Sequence, residues 1–204
     1  MVDFTLTPAR TALVNVDMQN CFVEGYPNTP QRLATLGRIN QLAAACRAAG
    51  IPVIHTSHIL RPDGSNIGIL GEVVPRVRLT GFLNSGAVSA ALHPGLVVEP
   101  GDILLAKPRF GAFHGTDLEL ILRTRGIDTV IVAGIDTRVC CDTTAREANV
   151  RDFRVLFLSN GTATGSDAAQ EATLQTIGAV FGQVLTVGDV LQKIRQGAAA
   201  AVAG

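Results

Sequence analysis

Apolar and polar positions along this chain follow two alternating rhythms. Residues 11–17 are an almost continuous apolar run that ends on an acid, Asp17. Residues 30–49 keep a helical period, with Leu33, Leu36, Ile39, Leu42 and Ala43 on one face. Gly50 stops that helix, and residues 51–56 form a second apolar run. Residues 61–100 lose the rhythm, carry several Gly and Pro, and predict a long excursion around a cleft. A third run, residues 102–107, ends on Lys107. Thr116 predicts an N-cap for a helix through about Arg125, with Glu119 as its capping-box partner. The remaining pattern predicts a strand over 128–133, a helix over about 140–150 and a strand over 153–158. A helix around 167–179, a short strand over 183–187 and a helix from Asp189 complete it.

Strands and helices that alternate in this way, with runs too apolar for a sheet wetted on one face, predict a mainly parallel sheet. The fold class is α/β, a Rossmann-like arrangement of three layers, α/β/α. No repeat or linker divides the chain, so residues 1–204 read as one domain, with a small-residue tail from about 197 expected to be flexible. Sheets of this kind place their sites at the carboxyl ends of strands. Asp17, Lys107 and the neighbours Cys140 and Cys141 all fall there. A buried lysine closing a strand is costly without a partner, and a carboxylate, an ammonium and a thiol are the parts of an activated cysteine nucleophile.

Composition narrows the classes. Hydrophobic residues are 47% and charged residues 17% of the chain, below the usual ~25% charged, which points to extensive burial and to a homo-oligomer, a dimer or tetramer. The formal net charge is zero, and no basic stripe argues for nucleic acid or a membrane surface. The amino-terminal residues lack a signal-peptide pattern, and no apolar run reaches the ~18 residues of a spanning helix. Cysteines at 21, 46, 140 and 141 have no metal-type spacing. A cytoplasmic protein with reduced thiols is expected.

Three motifs in order, Val16-Asp17-Met18-Gln19-Asn20, Lys107 to Phe113 with Thr116 and Leu118, and Gly134-Ile-Asp-Thr137-Arg-Val-Cys140 on to Ala145, resemble those of the isochorismatase-like cysteine hydrolases. The resemblance covers roughly residues 10–190, and the segment from Lys107 to Ala145 is most similar to the ureidoacrylate and biuret amidohydrolase branch. The resemblance implies an isochorismatase-like hydrolase fold and a cofactor-free amidohydrolase with Asp17, Lys107 and Cys140 as catalytic residues. It implies backbone N–H groups of Asp136 and Cys140 as an oxyanion hole, a cis peptide between Ile135 and Asp136, and a small amide, ureido or carbamoyl substrate cleaved at its C–N bond through a thioester. A thiol at a helix N-terminus beside an ammonium is expected to lean toward thiolate and to alkylate fast near neutral pH.

Departures from the pattern carry information too. Nicotinamidases of this family bind a metal through an Asp-x-His motif, and here that stretch reads His55-Thr-Ser-His58-Ile-Leu60. No catalytic metal is therefore expected, and His55 and His58 read as structural or pocket-wall groups. Asp136 and Arg138 stand at positions often Ala and Asn. Asp136 is expected either to face solvent or to select a cationic or hydrogen-bond-donating group. Phe22, Arg109 and Phe113 follow the motifs and are the candidates for substrate contact, against ordinary packing for the phenylalanines and a solvated or interfacial role for the arginine. Cys141 reads as an inert core thiol. The competing readings are an isochorismatase-type vinyl ether hydrolase, which needs no cysteine, and a catalytically inactive binding protein of the same fold.

Overall fold

In the computed structural model, which describes the backbone of residues 2–203 and the side chains of residues 2–197, six parallel strands form one sheet in the order β3-β2-β1-β4-β5-β6. They are β1 (Thr11–Val16), β2 (Val53–His58), β3 (Ile103–Lys107), β4 (Thr129–Ile135), β5 (Arg154–Ala163) and β6 (Gln183–Leu185). The main helices are α1 (Asn20–Val23), α2 (Thr29–Ala48), α3 (Leu70–Val73), α4 (Pro75–Thr80), α5 (Leu118–Thr124), α6 (Asp142–Asn149), α7 (Asp167–Val180) and α8 (Val187–Ala203). The expected flexible tail from about 197 falls on residues whose side chains are outside those described.

Successive strand residues feed opposite cores, as the pleat requires. Leu13, Val53, Ile131 and Leu156 pack under α2 and α8, against Ile39, Leu42 and Val190. Val14, Ile54, Val132 and Phe157 pack under α5, α6 and α7, against Leu122, Ala148 and Ile177. That is the three-layer architecture the alternation predicts. A third, smaller cluster of Cys21, Leu60, Leu70, Val77, Phe82 and Leu83 belongs mostly to the excursion.

Several local expectations need correction. Leu33 is exposed, off the buried face of α2, which Thr35 and Leu36 occupy instead. Strand β2 starts at Val53 and not at residue 51, because Pro52 has no N–H to give a ladder and only its carbonyl is used, accepting from Leu13. Thr116 and Glu119 form no capping box. The Thr116 hydroxyl donates to the Ala112 carbonyl and accepts from the Leu118 N–H, while Glu119 turns outward to Arg151. Strand β5 runs five residues beyond its expected end, through a register shift opposite Val132 and Gly134. The chain after β4 makes one π-helical turn over Thr137–Cys141 before α6 begins.

The sheet order reverses direction between β1 and β4, which leaves a crevice beyond their carboxyl ends. Gly134 lets the two strands meet there. Its φ is +120°, and a Cβ at that position would sit 2.0 Å from the Val16 carbonyl oxygen.

Candidate active site

Asp17 leaves β1 in the left-handed region (φ 52°), a conformation aspartate tolerates better than most residues. Its N–H donates to the Thr56 carbonyl at 3.1 Å, and the Thr56 hydroxyl donates to its Oδ1 at 2.7 Å. Lys107 comes from β3, two strand spacings away, about 10 Å. Only a long side chain crosses β2 from there. Its Nζ stands 2.7 Å from Asp17 Oδ2, with both side chains fully buried. The ammonium also donates to the carbonyls of Arg109 (2.9 Å) and Phe110 (2.8 Å). Oδ2 sits within ion-pair distance of Nζ yet receives no aligned hydrogen bond, so it keeps a lone pair free for a proton.

Burial alone disfavours the charged form of Lys107, but the carboxylate of Asp17 opposes it, and the net shift is upward. The amine stays an ammonium. Cys140 lies within the π-helical turn, is buried, and lines a cavity beside this pair. Burial pushes its thiol up, Lys107 pulls it down, and Asp17 pushes it up both by charge and as a hydrogen-bond partner of the sulfur. The net direction is upward. The expectation of a thiolate-leaning sulfur is thus corrected: desolvation and Asp17 outweigh the ammonium, and the resting group is a thiol beside a base. The Asp136 backbone N–H also approaches the sulfur and lowers its pKa. The Ile135–Asp136 peptide is cis.

The cavity holds about 480 Å³, within the usual range for small-molecule sites. Phe22 is on its wall. Arg109 and Phe113 are not brought to it. The Arg109 guanidinium is turned back onto the carbonyls of Asn66 and Pro108. Phe113 packs into the core against Phe153, with Arg151 over its ring. Cys141 is fully buried in the core behind the turn.

Asp136 lines the cavity, and its side chain is 21% exposed. Its carboxylate accepts from the Thr164 hydroxyl (2.6 Å), from the Arg138 N–H (3.2 Å) and from the buried Arg32 guanidinium (3.2 Å). Arg32 spends its other hydrogens on the carbonyls of Pro27 and Phe22. Sequence reading missed Arg32 because a residue 104 positions away gives no local signal.

His55 is structural, held between Asn15 and Asp102. His58 differs. It is buried on the cavity wall, edge-on to Phe110, with both ring nitrogens unpartnered. Burial, helped by the charge of Lys107, pushes its pKa down to about 4, so it is neutral near pH 7. Among the described residues, no group of three or more His, Cys, Asp or Glu is placed to hold a metal ion, and no helix is long and apolar enough to cross a membrane.

A doubly wound sheet with an acid, an ammonium and a thiol converging at its switch point defines a hydrolase-like crevice, and comparison with known proteins gives the family. The isochorismatase domain matches residues 11–189, and the chain belongs to that family of hydrolases. It is 34% identical over 197 residues to the ureidoacrylate amidohydrolase RutB of Methylorubrum extorquens, covering 87% of this chain and 79% of the relative. It is 32% identical over 215 residues to RutB of Agrobacterium fabrum, covering 95% and 94%. A cysteine hydrolase from Pseudomonas syringae pv. phaseolicola superposes with a TM-score of 0.90 at 33% identity, covering 96% of this chain and 97% of that one. The N-carbamoylsarcosine amidase of Thermoplasma acidophilum superposes with a TM-score of 0.72 at 27% identity, covering 87% and 96%.

Proposed function

We propose that this protein is a cysteine-dependent amidohydrolase that cleaves the C–N bond of a small amide, ureido or carbamoyl compound through a thioester. The observation that carries the reading is the buried pair of Lys107 Nζ and Asp17, 2.7 Å apart, close enough to Cys140 for both charges to act on its thiol, which lines the cavity. The similarity to amidohydrolases by name supports it.

Asp17 takes the proton of Cys140 as the sulfur attacks the carbonyl carbon. A buried thiol with a raised pKa needs such a base at the moment of attack, and the Lys107 ammonium pairs with that carboxylate at 2.7 Å. The negative charge that develops on the substrate oxygen is held by the backbone N–H groups of Asp136 and Cys140. Protonated Asp17 gives its proton to the departing ammonia or amine, leaving a thioester. Asp17 then takes a proton from water, the hydroxide attacks the thioester, and the thiol reforms as the acid product leaves.

The proposed partner is thus a small molecule, and the protein is proposed to act in the cytoplasm as a homo-oligomer, which sedimentation checks. The test of the function is ammonia release from a panel of ureides, carbamoyl amino acids, nicotinamide and aliphatic amides, in wild type and Cys140→Ala. Turnover that disappears in the variant is the expected result. A fully active Cys140→Ala protein rules out the thioester route.

A further inference from the structure

Among the described residues, three guanidiniums and one carboxylate line this cavity or lie over its rings, and their partners are unevenly shared. The carboxylate, Asp136, is filled by Arg32, by the Thr164 hydroxyl and by the Arg138 N–H. Arg32 is in turn saturated by Asp136 and the carbonyls of Pro27 and Phe22. Two guanidiniums remain. Arg138 lines the cavity with its side chain 60% exposed and makes no side-chain hydrogen bond among the described residues. Its Nε lies 3.9 Å from Asp136, beyond hydrogen-bond distance. Arg76, from α4, has no ion-pair or hydrogen-bond partner for its side chain among the described residues. It lies over two rings of the cavity wall, 4.9 Å from the Phe82 centroid and 5.9 Å from that of Tyr26. A guanidinium held against ring faces keeps its N–H groups available to an anion.

Burial gives the depth of each group. Arg76, Arg138 and Tyr26 are exposed, whereas Cys140 is buried. The sulfur is thus at the floor and the two available cations are at the mouth. Tyr26 ties them to one mouth, because Arg32, which pairs with Asp136, is 5.6 Å from the same ring that Arg76 overlies. Much of the remaining wall is hydrocarbon, from Leu70, Val74, Val77, Leu83 and Phe110. An excess of positive charge beside a low-dielectric wall attracts an anion more strongly than the same charge in open water. The volume of about 480 Å³ is in the range that takes drug-sized ligands, more than a four-carbon amide fills.

Resting on the amidohydrolase reading, we propose that the substrate is an amide or carbamoyl compound with a carboxylate at the end remote from the scissile bond. A hydrocarbon spacer longer than the two carbons of succinic acid monoamide separates the two ends. The carboxylate is read at the mouth by Arg138 and Arg76, the spacer lies on the apolar wall, and the carbonyl to be attacked reaches Cys140. Arg138 and Arg76 are then specificity residues for the acid, and the wall sets the spacer length.

Four amides test this: adipic acid monoamide, the shorter succinic acid monoamide, neutral hexanamide and cationic 6-aminohexanamide. Binding is measured by calorimetry in Cys140→Ala, and kcat/KM by ammonia release in the wild type. Adipic acid monoamide is expected to exceed hexanamide by at least about fivefold in both, with 6-aminohexanamide weakest. It is expected to exceed succinic acid monoamide by at least about threefold, from the added methylenes on the wall. Added salt is expected to shrink the advantage over hexanamide. Arg76→Gln and Arg138→Gln, both at exposed positions, are each expected to lower the ratio of acid to hexanamide about two- to threefold, and the double variant to bring it near one. Hexanamide binding as tightly as the acid overturns the inference, as does succinic acid monoamide matching adipic acid monoamide, a double variant that keeps the wild-type ratio, or binding of none of the four. Equal turnover of adipic acid monoamide and hexanamide overturns it while leaving the amidohydrolase reading intact. Preferential binding of adipic acid monoamide with no ammonia from any amide does the reverse.

Discussion

Replacing Lys107 by Met keeps most of the length of the side chain and removes its charge, which strands Asp17 in a site with no exposure. At 2.7 Å and an effective dielectric constant of about 20, the gross attraction of the pair is about 6 kcal/mol. Desolvating the two ions offsets most of that, at several kcal/mol each, so the intact pair is close to neutral for stability. Removing one partner is different, because the desolvation of the other remains uncompensated. Lys107→Met is expected to lose about 3–5 kcal/mol, and the carbonyls of Arg109 and Phe110 lose their donor as well. Asp17→Asn is expected to lose a similar amount, and the double variant less than either single change adds up to. The assay is urea unfolding at pH 7.5 on all four proteins, with ammonia release on the same samples. All three variants are expected to be inactive whatever their stability, so the two readouts separate folding from chemistry. Single variants within about 1 kcal/mol of wild type, with an additive double variant, would refute the argument that the pair is mutually compensating.

Four further outcomes follow from geometry and charge. Asp17 raises the Cys140 pKa by charge and by hydrogen bonding, so Asp17→Asn is expected to alkylate faster than wild type with iodoacetamide at pH 7.5 while losing turnover; a slower rate contradicts the assigned roles. His58 falls from 6.5 unfolded to about 4 folded, so the unfolded chain binds the extra proton first, and stability present above pH 6.5 is lost as pH falls toward 4. The loss is roughly 3 kcal/mol; the urea midpoint of His58→Gln, compared with wild type across that window, is expected to be flatter by this amount. Gly134→Ala is expected to yield no folded protein, given its φ and the Val16 carbonyl 2.0 Å from the added carbon. Gly37→Ala, in α2 with open space around it, is expected to gain about 0.5–1 kcal/mol, both read by thermal unfolding.

The sheet was legible because buried parallel strands must be continuously apolar, and Asp17 and Lys107 because a charge that ends such a run stands out against it. The second half of β5 was hidden by Ser159-Asn160-Gly161, which has the composition of a turn but forms an irregular stretch of strand. Through it Thr164 reaches Asp136. The cavity wall was illegible because α3 and α4 are too short to show a helical period. Arg109 and Phe113 look like site residues only by their nearness to Lys107 in the chain. Both turn away from the cavity, one to backbone carbonyls and one to the core. His58 did have a signal, as a histidine closing an apolar strand directly beside Lys107 in the sheet.

On the proposed reading, chemistry and most of the selectivity reside on separate stretches of this chain. Asp17, Lys107 and Cys140 stand at or just beyond the ends of three strands, whereas the hydrocarbon surface of the cavity comes largely from residues 70–83, which contribute nothing to the sheet. Loop exchange between relatives can therefore retune what is accepted without disturbing how it is broken down, and a lineage built on this plan diversifies its diet by rewriting about one short segment.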